Sequence, residues 1–208
     1  MTEAKEYYNW TSRNYVEKWK KIDSFRLKLI HFLIEMAQIR PGDKVIEIGC
    51  GTGLVLKELL NYVKPVYGID VSFEMLKRVQ DSVLLDRKVV KVERPEEIVE
   101  NKSGAEVVLF ENDILDLKLP QGYFDKILSL EVFRYIKEIK TALNKAAEIM
   151  KPESIFVFTA TNLWSANLFP LKFSIRKLLG LVNSQKEIFQ YFVTERSIRK
   201  NIKEAGLK

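Results

Sequence analysis

The stretch VIEIGCGTG, residues 45–53, constrains this chain more than any other. An apolar run broken by one acid leads into three glycines at alternate positions, Gly49, Gly51 and Gly53. Lacking Cβ atoms, such a segment can turn sharply and approach a ligand closely, and a helix that starts just after it presents its N-terminal amides to an anionic group. The run Lys44–Ile48 predicts a buried strand and the residues from about Leu54 to Tyr62 predict a helix, so the glycines form a strand-to-helix turn.

The rest of the chain repeats this alternation. Asp23 and Ser24 are capping candidates for an earlier helix on which Phe25, Leu29, Phe32, Leu33 and Met36 share one face, closed by Pro41-Gly42. Strands are predicted at Val66–Ile69, Val107–Phe110, Phe124–Leu130 and Ile155–Thr161, with helices from about Phe73 to Val79 and from about Ile139 to Met150. Strands alternating with helices imply right-handed crossovers, hence an α/β fold with a doubly wound, mainly parallel sheet and helices on both faces. Ligands bind such a sheet outside the carboxyl ends of its strands, where the strand order reverses.

Length and charge narrow the class. A chain of 208 residues that is 47% hydrophobic predicts a single domain over 1–208, with an N-terminal helical cover at 1–40 and a substrate cap at 162–193. The 34 basic residues exceed the 28 acidic ones by a net +6, yet the signs are interleaved without the block of like charges a nucleic-acid arm shows, so DNA is not an expected partner. One cysteine, Cys50, and one histidine, His31, rule out a disulfide framework and a Cys/His zinc site; no metal is expected. His31 lies off the apolar face of its helix and is expected at the surface. The polar, aromatic N-terminus and the lack of a long apolar run predict a cytoplasmic protein without a membrane span.

The second strand ends in YGID, and Asp70 there supplies a carboxylate suited to the two hydroxyls of a ribose. The dinucleotide pattern G-x-G-x-x-G is not met, because the third glycine comes one residue early, and no lysine follows the last glycine as a phosphate loop requires. A nucleoside-containing ligand is expected, with a dinucleotide oxidoreductase the weaker alternative.

VIEIGCGTG, VYGIDVSFEML, FENDILDLKLPQGYFDKILSLEVFRYI and AAEIMKP, in this order, resemble the class I S-adenosylmethionine-dependent methyltransferases, in particular the small-molecule branch typified by ubiquinone and menaquinone biosynthesis. The resemblance runs from about Tyr8 to Gly206 and implies a Rossmann-like methyltransferase fold with S-adenosylmethionine as cofactor. It places Gly49, Gly51 and Gly53 along the methionine part, with Cys50, Thr52 and Leu130 completing the lining. Glu47 would support the ammonium through water, Asp70 would hold the ribose diol and Val71 would flank the adenine. Asp113 would accept from the adenine amino group while the Ile114 amide pairs with a ring nitrogen. YYNWTSRNY resembles the helix that covers the cofactor and would set Tyr15 near its methionine end. Asp70 could instead cap the following helix, a task open equally to Ser72, and Asp113 could belong to a solvated turn.

In this family the segment after the fourth strand, here SLEVFRY, projects over the methyl position. If the acceptor must lose a proton, Glu131 and Tyr135 are the candidate bases, although Glu131 could equally contact the cofactor or cap the next helix. The N-P-P-[YF] of methyltransferases acting on base amino groups is absent from this place, which reads Ser129-Leu130-Glu131-Val132. Between Val79 and Val107 the chain is longer than the family pattern, predicting a small extra strand or helix at the adenine edge. Pro152-Glu153-Ser154 replaces the usual Pro-Gly-Gly and is expected to alter only a turn. The family pattern continues into two further strands, so Ile155–Thr161 is expected as an edge, paired in a homodimer or covered by the last helix. After Pro170, Leu171, Ile175, Leu178, Leu179 and Val182 share a helical face opposite Lys172 and Arg176, suiting peripheral contact with anionic lipid. Trp164, Leu168 and Phe169 would line an apolar acceptor pocket. The expected function is methyl transfer from S-adenosylmethionine to a small, apolar acceptor. A protein or RNA methyltransferase and a non-catalytic cofactor-binding partner subunit are the alternatives.

Overall fold

β1, Val45–Ile48, is buried along its whole length and lies at the middle of the sheet, as its nearly continuous apolar run requires of a strand covered on both faces. The computed structural model describes residues 3–19, 23–79, 84, 86–100, 104–164, 175, 178–179 and 190–208. After two helices, α1 (Glu3–Trp19) and α2 (Asp23–Ala37), the order is β1, α3 (Leu54–Leu59), β2 (Val66–Asp70), α4 (Phe73–Arg78), β3 (Val89–Val92), α5 (Pro95–Glu100), β4 (Val107–Glu111), β5 (Phe124–Ser129), α6 (Ile139–Ile149), β6 (Met150–Phe158) and α7 (Glu195–Glu204). The six strands are ordered β3-β4-β2-β1-β5-β6 and every pair is parallel, the doubly wound sheet expected. The order reverses at β1, between β2 and β5, so a crevice opens beyond their carboxyl ends.

Alternate residues of each strand feed two cores. Ile46, Ile48, Ile69, Phe110 and Ile127 face Ala142, Leu143 and Ala146 of α6, while Val45, Val66, Leu109 and Leu128 face Ile30, Leu33 and Ile34 of α2 and Leu56 and Leu59 of α3. Glu47, two residues beyond Val45, therefore points into the α2/α3 layer.

Three expectations need correction. The buried face of α2 is Ile30, Leu33, Ile34 and Ala37; Phe25, Phe32 and Met36 are exposed, Phe25 by 72%. Both faces satisfy helical spacing, and contact with β5, β6 and α3 selects the first. This rotation puts Arg26 in the inward sector. The segment before Val107 contributes both an edge strand, β3, and a helix, α5, rather than one of them. The sixth strand starts at Met150, directly from α6, and passes through Pro152-Glu153-Ser154 as an irregularity in its pairing with β5, Glu153 taking a φ of 62°. It ends at Phe158, after which Thr159 N still donates to Ser129 O at 3.0 Å. Among the described residues, His31 is a surface group beside Glu58, at 3.3 Å, as expected, and no helix is long and apolar enough to cross a membrane.

α7 starts with a capping box between Thr194 and Ser197 and packs against α6 through Ile198 and Ile202. Asn162 forms an isolated parallel bridge with Val193 beyond β6. Most of the cap segment, including Leu168, Phe169, Leu171, Lys172, Arg176 and Val182, lies outside the described residues.

Candidate active site

The glycine turn is fastened to β2. Gly49 and Cys50 donate their amides to Ile69 O at 2.8 and 2.9 Å, and Gly51 donates to Asp70 Oδ2 at 2.9 Å. The other carboxylate oxygen, Oδ1, accepts from Ser72 N at 2.8 Å, and Ser72 Oγ caps α4 by accepting from Met75 N. The capping task thus falls to Ser72, and Asp70 joins turn to strand with lone pairs remaining for a further donor. Burial pushes its pKa up to about 6 against the two amides, with Glu111 adding to the rise.

All three glycines have positive φ, and their surroundings separate their roles. A Cβ on Gly49 would lie 2.1 Å from Val132 Cγ2, and one on Gly53 2.9 Å from Val79 Cγ1, so these two admit the packing of neighbouring segments. A Cβ on Gly51 would meet nothing within 4 Å; this glycine faces open space at the crevice. Cys50 is buried, its Sγ against Gly68, and burial raises its pKa well above the ordinary thiol value, the surroundings of a filler rather than a nucleophile. Thr52 and Leu130 are also buried.

Glu47 is 2% exposed, and its Oε2 is buried without a hydrogen-bond partner. Burial, and then the Asp70 charge, raise its pKa well above the usual carboxylate range, while the Arg26 guanidinium opposes them. A buried acceptor with an unmade hydrogen bond is costly and fits a cationic donor arriving from the crevice. Together with the open side of Gly51 and the remaining lone pairs of Asp70, it fits an amino-acid-bearing nucleoside. Among the described residues no group of His, Cys, Asp and Glu could hold a metal ion.

Asp113 follows β4 and caps a 3₁₀ turn, its Oδ1 accepting from Leu115 N at 3.0 Å; Ile114 is buried within that turn. Val71 sits between Asp70 and Ser72 at the same edge. Beyond β5, Glu131 takes a φ of 65°, a left-handed conformation unusual for this residue. Its amide donates to Thr159 Oγ1 at 2.7 Å and its carboxylate pairs with Arg134. Arg134 also donates through Nε to Gln190 Oε1 at 3.1 Å, and its carbonyl accepts from Tyr191 N at 2.7 Å, which ties the returning segment to this loop. Tyr135 closes a 3₁₀ turn and meets Tyr8 edge-on, ring centres 5.6 Å apart.

α1 lies across these strand ends. Lys5 pairs with Glu111 of β4 at 2.8 Å, Asn9 Oδ1 accepts from Ser72 Oγ at 2.6 Å, and Tyr8 meets Tyr135. Tyr15 is on this helix, but its side chain lies outside the described residues. The sequence reading missed Lys5, Tyr8, Asn9, Arg26, Val132 and Thr159. Of these Arg26 had a signal, a lone cation spaced with Ile30, Leu33 and Ala37.

The family model for the methyltransferase domain matches residues 19–208. The chain belongs to this family, and its sheet order and turn give it the fold of the class I S-adenosylmethionine-dependent methyltransferases. An uncharacterized protein of Methanocaldococcus jannaschii is 30% identical over 84% of this chain and 56% of its own length. The sterol 24-C-methyltransferase of Yarrowia lipolytica is 23% identical over 72% of this chain and 36% of its own. The chain thus spans well under two thirds of these relatives. In a Haloferax volcanii structure of the Trm112 methyltransferase activator with a methyltransferase, the likeness has a TM-score of 0.69 at 19% identity, covering 96% of this chain and 75% of that one.

Proposed function

We propose that this chain transfers a methyl group from S-adenosylmethionine to a small, apolar acceptor. The observation that carries the cofactor reading is the unpartnered buried Oε2 of Glu47 beside the open face of Gly51. On this reading Glu47 receives the ammonium, Asp70 the ribose diol, and Gly49, Gly51 and Gly53 with Cys50, Thr52 and Leu130 surround the methionine chain. Val71, Asp113 and the Ile114 amide flank the adenine. When bound, the cofactor supplies a methyl already activated on a sulfonium. What is left to the protein is alignment and exclusion of water, which suits α1 over the strand ends and the Tyr8–Tyr135 contact. Glu131 and Tyr135 border the acceptor side as the candidates for taking a proton from an acidic acceptor; the Glu131 carboxylate is engaged by Arg134.

The apolar acceptor is supported by the chain leaving β6. Trp164 is 78% exposed, and Leu163, Ile175, Leu178 and Leu179 are also exposed, a surface suited to lipid-like molecules or to the membrane that carries them. The test is incubation with labelled S-adenosylmethionine and a cell extract, followed by partition. Label in the organic phase supports the reading. Label in protein or RNA promotes a macromolecular acceptor, and cofactor binding with no labelled product promotes a non-catalytic subunit.

A further inference from the structure

We infer that Thr159 is a positioning residue for methyl transfer: its hydroxyl ends the pairing of β5 with β6 and aims the loop Glu131–Tyr135 at the crevice. This inference rests on the methyl-transfer reading above. β5 and β6 pair as far as Ser129 and Phe158, and Thr159 N adds one further ladder bond, to Ser129 O at 3.0 Å. In a parallel ladder the amide and the carbonyl of one residue bond to partner residues two apart, so the next bond in register would run from Glu131 N to Thr159 O. Glu131 N donates instead to the Thr159 hydroxyl, at 2.7 Å. The side chain takes the place of the carbonyl, and the chain turns away with a Glu131 φ of 65°, a left-handed conformation that persists in a glutamate only where its surroundings hold it. Thr159 thus grips the chain on both sides of buried Leu130, by its amide at Ser129 and its hydroxyl at Glu131. The residues that follow depend on this turn. Val132 seats against the Cβ-free side of Gly49, the Glu131 carboxylate pairs with Arg134, and Tyr135 meets Tyr8 of α1. Valine has the shape of threonine without the hydroxyl. In its presence the Glu131 amide is left to the carbonyl of residue 159, which prolongs the ladder by one step, draws Glu131 back to an extended φ and carries the loop off the crevice.

The test compares Thr159→Val and Thr159→Ser with the parent in the full chain, using saturating labelled S-adenosylmethionine and a cell extract, with calorimetry of S-adenosylhomocysteine binding alongside. In Thr159→Val the rate of labelling should fall roughly 100-fold, the cost of a misplacement near 1 Å, whereas affinity for S-adenosylhomocysteine should stay near that of the parent. Thr159→Ser, which keeps the hydroxyl, should keep the rate, and a crystal structure of Thr159→Val should show Glu131 at negative φ. Parental activity in Thr159→Val, equal loss in Thr159→Ser, a fall in affinity that matches the fall in rate, or a left-handed Glu131 in the inactive Thr159→Val structure each overturns the assignment. Failure of both Thr159→Val and Thr159→Ala to fold by circular dichroism makes the hydroxyl a requirement of folding and overturns it too. Absence of any labelled product from the parent overturns the methyl-transfer reading and the inference with it.

Discussion

Asp70 Oδ2 accepts the Gly51 amide at 2.9 Å, so the carboxylate at the end of β2 sets the position of the turn that follows β1. The residue expected to hold the ribose also shapes the loop beside it. Asp70→Ala should therefore weaken S-adenosylhomocysteine binding by roughly 10- to 100-fold and also destabilise the unliganded protein by about 1–3 kcal/mol, because two amides lose their acceptor. Calorimetry and thermal unfolding measure the two effects. Unchanged affinity alongside a lower melting temperature would make Asp70 purely structural.

The raised pKa of Asp70 gives a pH dependence of defined sign. Its folded value of about 6 exceeds the unfolded value of about 3.9, so between these limits the folded state binds more protons. Stability contributed by this group is largest below about pH 4 and is lost as pH rises toward 6. Glu47, raised by burial, acts in the same direction. Denaturant unfolding of the parent and Asp70→Asn from pH 4 to 7 should show a smaller decline with pH in the variant. Parallel curves would show that Asp70 stays ionised.

Cofactor binding should have the opposite dependence. An ammonium and a ribose diol both favour ionised carboxylates at Glu47 and Asp70, so affinity for S-adenosylhomocysteine should rise with pH and binding should release protons. Titration in buffers of different ionisation enthalpy measures this, and proton uptake would contradict it.

Gly49 and Val132 interlock, and Gly49→Ala should lower stability by several kcal/mol through the 2.1 Å approach to Cγ2 and a φ of 74°, an order of magnitude drawn from overpacking and left-handed strain together. Val132→Ala added to it should recover the steric part and leave the backbone part, giving a coupling well above additivity in a double-mutant cycle. Strict additivity would mean that the two segments do not meet.

Glu131→Gly should leave the melting temperature unchanged or raise it by relieving the left-handed φ, a cost of order 1–3 kcal/mol, against loss of a partly exposed ion pair worth about 1 kcal/mol or less. With an acceptor found in extract, loss of methyl transfer in Tyr135→Phe but not in Glu131→Gln would assign the proton acceptor to Tyr135. The reverse pattern would assign it to Glu131.

Much of this is legible in the sequence, for identifiable reasons. β1, β2, β4 and β5 are buried on both faces, so their apolar runs are almost uninterrupted and bounded by turn residues. The glycine turn and Asp70 are fixed by local geometry and so carry local signals. The buried face of α2 is not legible, because Phe25, Leu29, Phe32 and Met36 repeat as regularly as Ile30, Leu33, Ile34 and Ala37, and periodicity does not say which stripe meets the sheet. The start of β6 is hidden because Pro152 and Ser154 read as a turn, whereas the strand absorbs them in an irregularity of its pairing with β5. Thr159 and Lys5 act across long sequence separations, which leave no mark in any local pattern.

The placement of α1 bears on time as well as on space. Two contacts hold α1 down at the ends of β2 and β4: the neutral hydrogen bond of Asn9 with buried Ser72, and the ion pair of Lys5 with Glu111, which is partly exposed and open to solvent ions. If α1 covers a bound ligand, salt that screens the Lys5–Glu111 pair should shorten the time the ligand stays on the protein, while the Asn9–Ser72 bond should be unaffected.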